Sequence, residues 1–169
     1  MSKKSAYIIS ITGIVAFICA LLMPMICTTS MTSNSMEFTN YLAIFTTFGG
    51  KLSPKGVNYV IPVGFNVGAF VTLVLMLVGD ILVIALGKKQ ITAIVLNMIL
   101  HLASGILFLF AKYFFDRTNG HIQGFSSYET TGFGAYVAMA LCFVVVIESI
   151  FVLYIIHSDA SRSRSRRRN

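Results

Sequence analysis

The sequence predicts an all-α integral membrane protein, a bundle of four transmembrane helices with both termini in the cytoplasm. Three observations carry this reading. The chain of 169 residues is 56% hydrophobic and only 11% charged, and its mean hydropathy is +0.82, a composition of the membrane class. Four apolar runs, 6–27, 57–86, 91–115 and 132–156, each reach the ~20 residues that a helix needs to cross a hydrocarbon core. Basic residues also divide unevenly between the connections. Lys3, Lys4, Lys88, Lys89, Arg162, Arg164, Arg166, Arg167 and Arg168 fall on one side, and Lys51, Lys55, Lys112 and Arg117 on the other. The richer side is cytoplasmic by the positive-inside rule.

The runs are continuously apolar, without the alternation of a β-barrel strand. They leave no room for a separate soluble domain of about 50 residues or more. Residues 1–158 therefore read as one four-span domain, and 159–169 as a disordered Arg/Ser-rich cytoplasmic tail that has nothing to bury. The expected location is the plasma or cytoplasmic membrane, multi-pass.

Each run has its own punctuation. Run 6–27 follows Lys3 and Lys4 but exceeds the roughly 7–15 apolar residues of a signal peptide. It lacks an Ala-x-Ala cleavage site, so it reads as a retained anchor that kinks or ends at Pro24. Run 57–86 is longer than a span requires, and Pro62 with Gly64 places its helix start at or after the segment IPVGFNVG. Gly64 and Gly68 have the small-xxx-small spacing that lets membrane helices approach closely. Cys19, Cys27 and Cys142 make no Cys-x-x-Cys pair and read as small buried hydrophobes.

The two longer connections, 28–56 and 116–131, face outward in this topology. In the first, Phe38, Tyr41, Leu42, Phe45 and Phe48 recur at helical spacing before Gly49-Gly50, which predicts a short amphipathic helix with an apolar contact face. A β-hairpin competes, because Thr, Phe, Tyr and Ile also suit strands. The second connection is polar and turn-rich around Asn119-Gly120. Neither carries an Asn-x-Ser/Thr glycosylation site.

Inside the spans lie Asp80, His101 and Glu148, with Asn97 and Ser104 one turn either side of His101. Ionisable residues are costly in hydrocarbon and face a bundle interior. At about 1.5 Å per residue, Asp80 sits roughly 9 Å and Glu148 roughly 12 Å from the inner ends of their runs, with Asn97 at roughly 9 Å and His101 at roughly 15 Å. All four belong to the cytoplasmic half. The structural reading is a set of interhelical hydrogen bonds contributing about 0.6 kcal/mol each. The functional alternative is a proton or cation site. One His and two acids on three helices are a loose match for a metal, and none is assigned.

Catalysis has no support: nucleophile elbows, paired metal-binding histidines and phosphate-cradling glycine loops are all missing. The chain reads as a non-enzyme without a cofactor. Lys88, Lys89 and the tail arginines Arg162, Arg164, Arg166, Arg167 and Arg168 would contact anionic head groups of the inner leaflet at about 1 kcal/mol per charge. They equally satisfy the topology rule alone. Nucleic acid is not an expected partner, since no aromatic platform accompanies the charge.

Four spans, inner termini, and a longer first and shorter second outer loop are similar to the layout of claudin-like and other tetraspan proteins, in topology only. The chain has no Trp, and its first outer loop has no Cys, so the claudin signature is absent. Small multidrug transporters also have four spans, but their intramembrane acid lies in the first, which has none here. The expectation is an accessory, scaffolding or membrane-organising subunit that works through helix, loop and tail contacts with lipid, other membrane proteins or itself. The alternative is a small oligomeric proton or cation transporter or channel using Asp80, His101 and Glu148.

Overall fold

The computed structural model describes residues 3–32, 35–53, 60–86, 90–119 and 127–166. Four long helices, α1 (Lys3–Leu22), α3 (Val67–Ala85), α4 (Gln90–Phe108) and α6 (Phe133–Arg166), form the body. Packing runs in a ring: α1 lies on α3 and α6, and α4 completes the circuit between them. Three of the four contain segments long and apolar enough to cross a membrane, Val67–Ala85, Ile91–Phe108 and Phe133–Ser158, while Ile8–Leu22 is a shorter apolar helix.

The polarity of the bundle is that of a protein in lipid. Its outer surface exposes Ile11, Val15, Val74, Ile81, Ile99 and Ile147, whereas Asp80, Asn97, His101, Ser104 and Ser149 are buried. Buried apolar residues lie above and below that polar layer. Ala16, Ala20, Leu73, Met76, Phe108 and Ala138 belong to one cluster, and Ile9, Ile94, Val145 and Val152 to the other.

Helix boundaries follow local chemistry. Asn66 caps α3, its Oδ1 accepting from the Ala69 amide at 3.0 Å, which satisfies one of the helix's orphan N–H groups. Helix α1 ends before Pro24, as expected, because a residue preceding proline is driven out of the α region. The third run is not one helix. Leu109 and Phe110 bond to carbonyls three residues back, at 3.1 and 3.0 Å, and α5 (Ala111–Asn119) starts afresh. Ser104-Gly105 lies in the last turn before this break, a pairing that favours kinks, but the apolar run 91–115 concealed it.

The all-α expectation needs correcting at the loop end. Strand β1 (Pro24–Thr32) pairs with β2 (Ser35–Leu42) on one side and β5 (Ser127–Thr131) on the other. Both pairings are antiparallel, with Cys27 opposite Asn40 and Thr130. A second small sheet joins β3 (Gly50–Leu52) to β4 (Ile61–Val63). The predicted amphipathic helix over 38–48 therefore does not form as one piece. Phe38, Tyr41 and Leu42 lie in β2, and only Phe45 and Phe48 in α2 (Ala43–Phe48). The strand wins because β1 supplies a partner for those β-favouring side chains. Tyr41 packs inward with Ile26, Val63 and Phe115, while Phe38, Phe45 and Phe48 are exposed.

Where the sequence suggests a disordered tail from 159, the backbone of α6 stays helical to Arg166. Nothing in HSDASRSRSR breaks a helix, and Arg is a good helix former. Of the basic residues expected at the inner leaflet, Lys88, Lys89, Arg167 and Arg168 lie outside the described residues. Arg162, Arg164 and Arg166 are described through their backbone alone.

Candidate functional site

The polar residues predicted inside the spans divide between two helix interfaces. At the first, His101 of α4 faces Asp80 of α3, with Nε2 3.6 Å from Oδ1 and both side chains at most 1% exposed. Their heights, which differ by about 6 Å when counted along the backbone, are reconciled by side-chain direction. Every helical side chain leans toward its own N-terminus. Because α3 and α4 run in opposite senses, Asp80 and His101 lean toward each other.

The rest of the α4 stripe holds the imidazole in place. His101 Nδ1 donates to the Asn97 carbonyl at 3.1 Å, so this nitrogen carries the ring hydrogen. One turn on, the Ser104 hydroxyl lies 2.9 Å from the Leu100 carbonyl and 3.2 Å from the Thr72 carbonyl on α3. It thereby ties the two helices together. The Asn97 side-chain amide is fully buried, yet neither its oxygen nor its nitrogen has a hydrogen-bond partner among the described residues. The same holds for both Asp80 oxygens and for His101 Nε2.

Two glycines make room for this layer. A β-carbon at Gly13 of α1 would overlap the Asp80 carboxylate, and one at Gly79 of α3 would overlap Asn97 Oδ1. Neither was singled out from the sequence. The available signal was Gly79 directly preceding Asp80 and Gly13 following Ser10 and Thr12 in an otherwise apolar run.

Glu148 belongs to the second interface, between α6 and α1. The Thr12 hydroxyl lies 3.3 Å from Glu148 Oε1 and 3.2 Å from the Ile8 carbonyl, with one hydrogen to give between them. No ion pair or hydrogen bond joins Glu148 to Asp80 or His101 among the described residues. The expected five-residue cluster is thus a group of four, Asp80, Asn97, His101 and Ser104, plus a separate Glu148–Thr12 contact. No group of three or more His, Cys, Asp or Glu side chains that could hold a metal ion occurs among the described residues.

The other sequence-predicted positions lie at the loop end. Gly64 precedes α3 and Gly68 is in its first turn, so the two do not share a helix face. Gly64 donates its amide to Asn119 Oδ1 at 2.9 Å, and Gly68 packs beneath the Phe114 ring of α5. Beside them a cleft of about 380 Å³ opens between α3 and α5, lined by Asn66, Tyr113, Phe114 and Arg117 among others. Exposed Phe48 lies 6.4 Å from Phe65 and 6.0 Å from Phe70, ring centre to ring centre. No protein-family profile matches this chain, and no curated protein matches it.

Proposed function

We propose that the protein is a small multi-pass membrane protein that acts through contacts, as an accessory, scaffolding or membrane-organising subunit. In this reading all four long helices span the bilayer, α1 included, and both termini are cytoplasmic. The loop-end sheet then faces outward. The supporting observation is where the polar and the apolar groups are turned. The polar layer of Asp80, Asn97, His101 and Ser104 is enclosed at no more than 1% exposure, which suits helix assembly better than a conduit. The groups free to meet a partner, Phe38, Phe45 and Phe48, sit on and beside a sheet that cross-links two separate loops. Proton or cation transport, the alternative, needs an access path to Asp80. The apolar clusters above and below do not offer one.

The test is a photo-crosslinking amino acid placed singly at Phe38, Phe45 or Phe48 and activated in native membranes. Discrete protein adducts, absent when the probe is moved to Ile81 on the outer bundle face, are the expected result. Lipid adducts alone at all three positions would overturn the reading. Flux of protons or cations in liposomes of the purified protein, lost in Asp80→Asn, would replace it with transport.

A further inference from the structure

The polar layer has a feature that helix assembly does not require. Because the Asn97 carbonyl can only accept, the 3.1 Å bond to it places a hydrogen on His101 Nδ1. In a neutral imidazole the other nitrogen, Nε2, is then a bare acceptor. It points at Asp80 Oδ1, 3.6 Å away, and an ionised carboxylate is likewise an acceptor. Two acceptors facing each other in a buried, low-dielectric place repel. The arrangement becomes attractive when one hydrogen lies between them.

No neighbouring donor is engaged in its place. Neither carboxylate oxygen of Asp80 takes a hydrogen bond from any described residue. The groups around it are known helix by helix. From α1 comes Gly13, without a side chain. From α4 come His101 and, against neighbouring Gly79, Asn97. From α6 the buried Cys142 thiol donates to neither Asp80 oxygen, and Glu148 meets Thr12 through Oε1. No Lys or Arg stands in this layer. Distance also selects the occupant. A water or a metal ion on the line between the two atoms would need them roughly 5 Å apart, whereas a proton fits a gap that shortens by less than 1 Å.

We propose that Asp80 and His101 form a binding site for one proton, shared between Asp80 Oδ1 and His101 Nε2 inside the helix bundle. The two limiting forms, a carboxyl O–H donating to Nε2 and an imidazolium N–H donating to a carboxylate, contain the same atoms and the same net charge of zero. Moving the proton between them breaks one bond to hydrogen and makes another. Loss of the proton leaves one net negative charge between α3 and α4, directly against Gly13 of α1. The site is therefore a proton ligand pocket whose occupancy bears on how α1 seats. It stands apart from the contact reading above: a protein that binds partners through its loop end gains or loses nothing in that reading from this proton.

The experiment uses the full chain carrying His121→Gln and His157→Gln, which leaves His101 as the sole imidazole. It is labelled with 15N-histidine, placed in lipid nanodiscs and read by NMR at neutral pH. The expected result is a hydrogen on Nδ1 and a second, far-downfield hydrogen coupled to Nε2, directly when it sits on nitrogen and through the hydrogen bond when it sits on Asp80 Oδ1. Asp80→Asn should abolish that downfield hydrogen, because the amide offers Nε2 only an ordinary N–H to accept. An Nε2 that shares no such hydrogen with Asp80, whether on nitrogen or on oxygen, would overturn the proposal, and that spectrum decides even if the Asp80→Asn protein fails to fold. An Nε2 signal that moves with NaCl concentration at constant pH would assign the place to a metal cation and overturn it equally.

Discussion

Asp80 on α3 is seated against Gly13 on α1 so closely that a single methyl group at position 13 would occupy the space of its carboxylate. The contact makes the smallest residue of α1 and the one acid of α3 parts of one fit. Gly13→Ala should destabilise the bundle by about 1–3 kcal/mol, the usual cost of overpacking. Asp80→Ala removes the opposing group, so the double variant should lose clearly less than the sum of the two single losses. Thermal unfolding of the four proteins in detergent gives the coupling. Strictly additive losses would mean that the two residues do not touch.

Glu148 and Asp80 share no partner, since one meets Thr12 and the other His101. Asp80→Asn and Glu148→Gln should therefore add, with a coupling below about 0.5 kcal/mol. A larger coupling in the same unfolding assay would restore the single acid pair expected from the sequence.

The sheet register predicts a disulfide. Cys27 and Thr130 are directly opposed in the β1–β5 pairing, and opposed antiparallel residues have Cα atoms about 4.5–5.5 Å apart, inside the range that a disulfide spans. Thr130→Cys should oxidise with Cys27 within one chain, seen as a mass loss of two hydrogens and a faster non-reducing gel band. Asn119→Cys, outside the sheet, should not.

Thiol labelling tests the topology. Cys27 is partly accessible in β1, whereas Cys142 is buried in α6. In single-cysteine proteins a membrane-impermeant maleimide added to intact cells should modify Cys27 readily. Cys142 should react only after denaturation. Labelling of Cys27 that requires opening the cells would reverse the orientation.

The helices were legible because burial in lipid writes itself into composition: a run of some 20 apolar residues is hard to use in any other way. The Asp80–His101 meeting was also legible, from rise per residue and the cost of charge in hydrocarbon. Glu148 was misplaced because height alone does not say which interface a residue faces. The sheet stayed hidden for a different reason. Thr130 and Cys27 lie 103 positions apart, and neither TTSMT nor SYETT shows the alternation that announces a strand. In β2 the spacing of Phe38, Tyr41 and Leu42 mimicked a helix turn, and only the partner strand decided between the two periods.

The central place of β1 in its sheet also sets an order of events during synthesis. The β1–β2 hairpin is complete once residue 42 has been made, but β5 follows some 85 residues later. At the ribosome's roughly 5–20 residues per second, the free side of β1 stays open for several seconds in every newborn chain. For that interval the strand is a template that any passing extended segment can occupy, and the last connection closes it only as the final helix is being delivered.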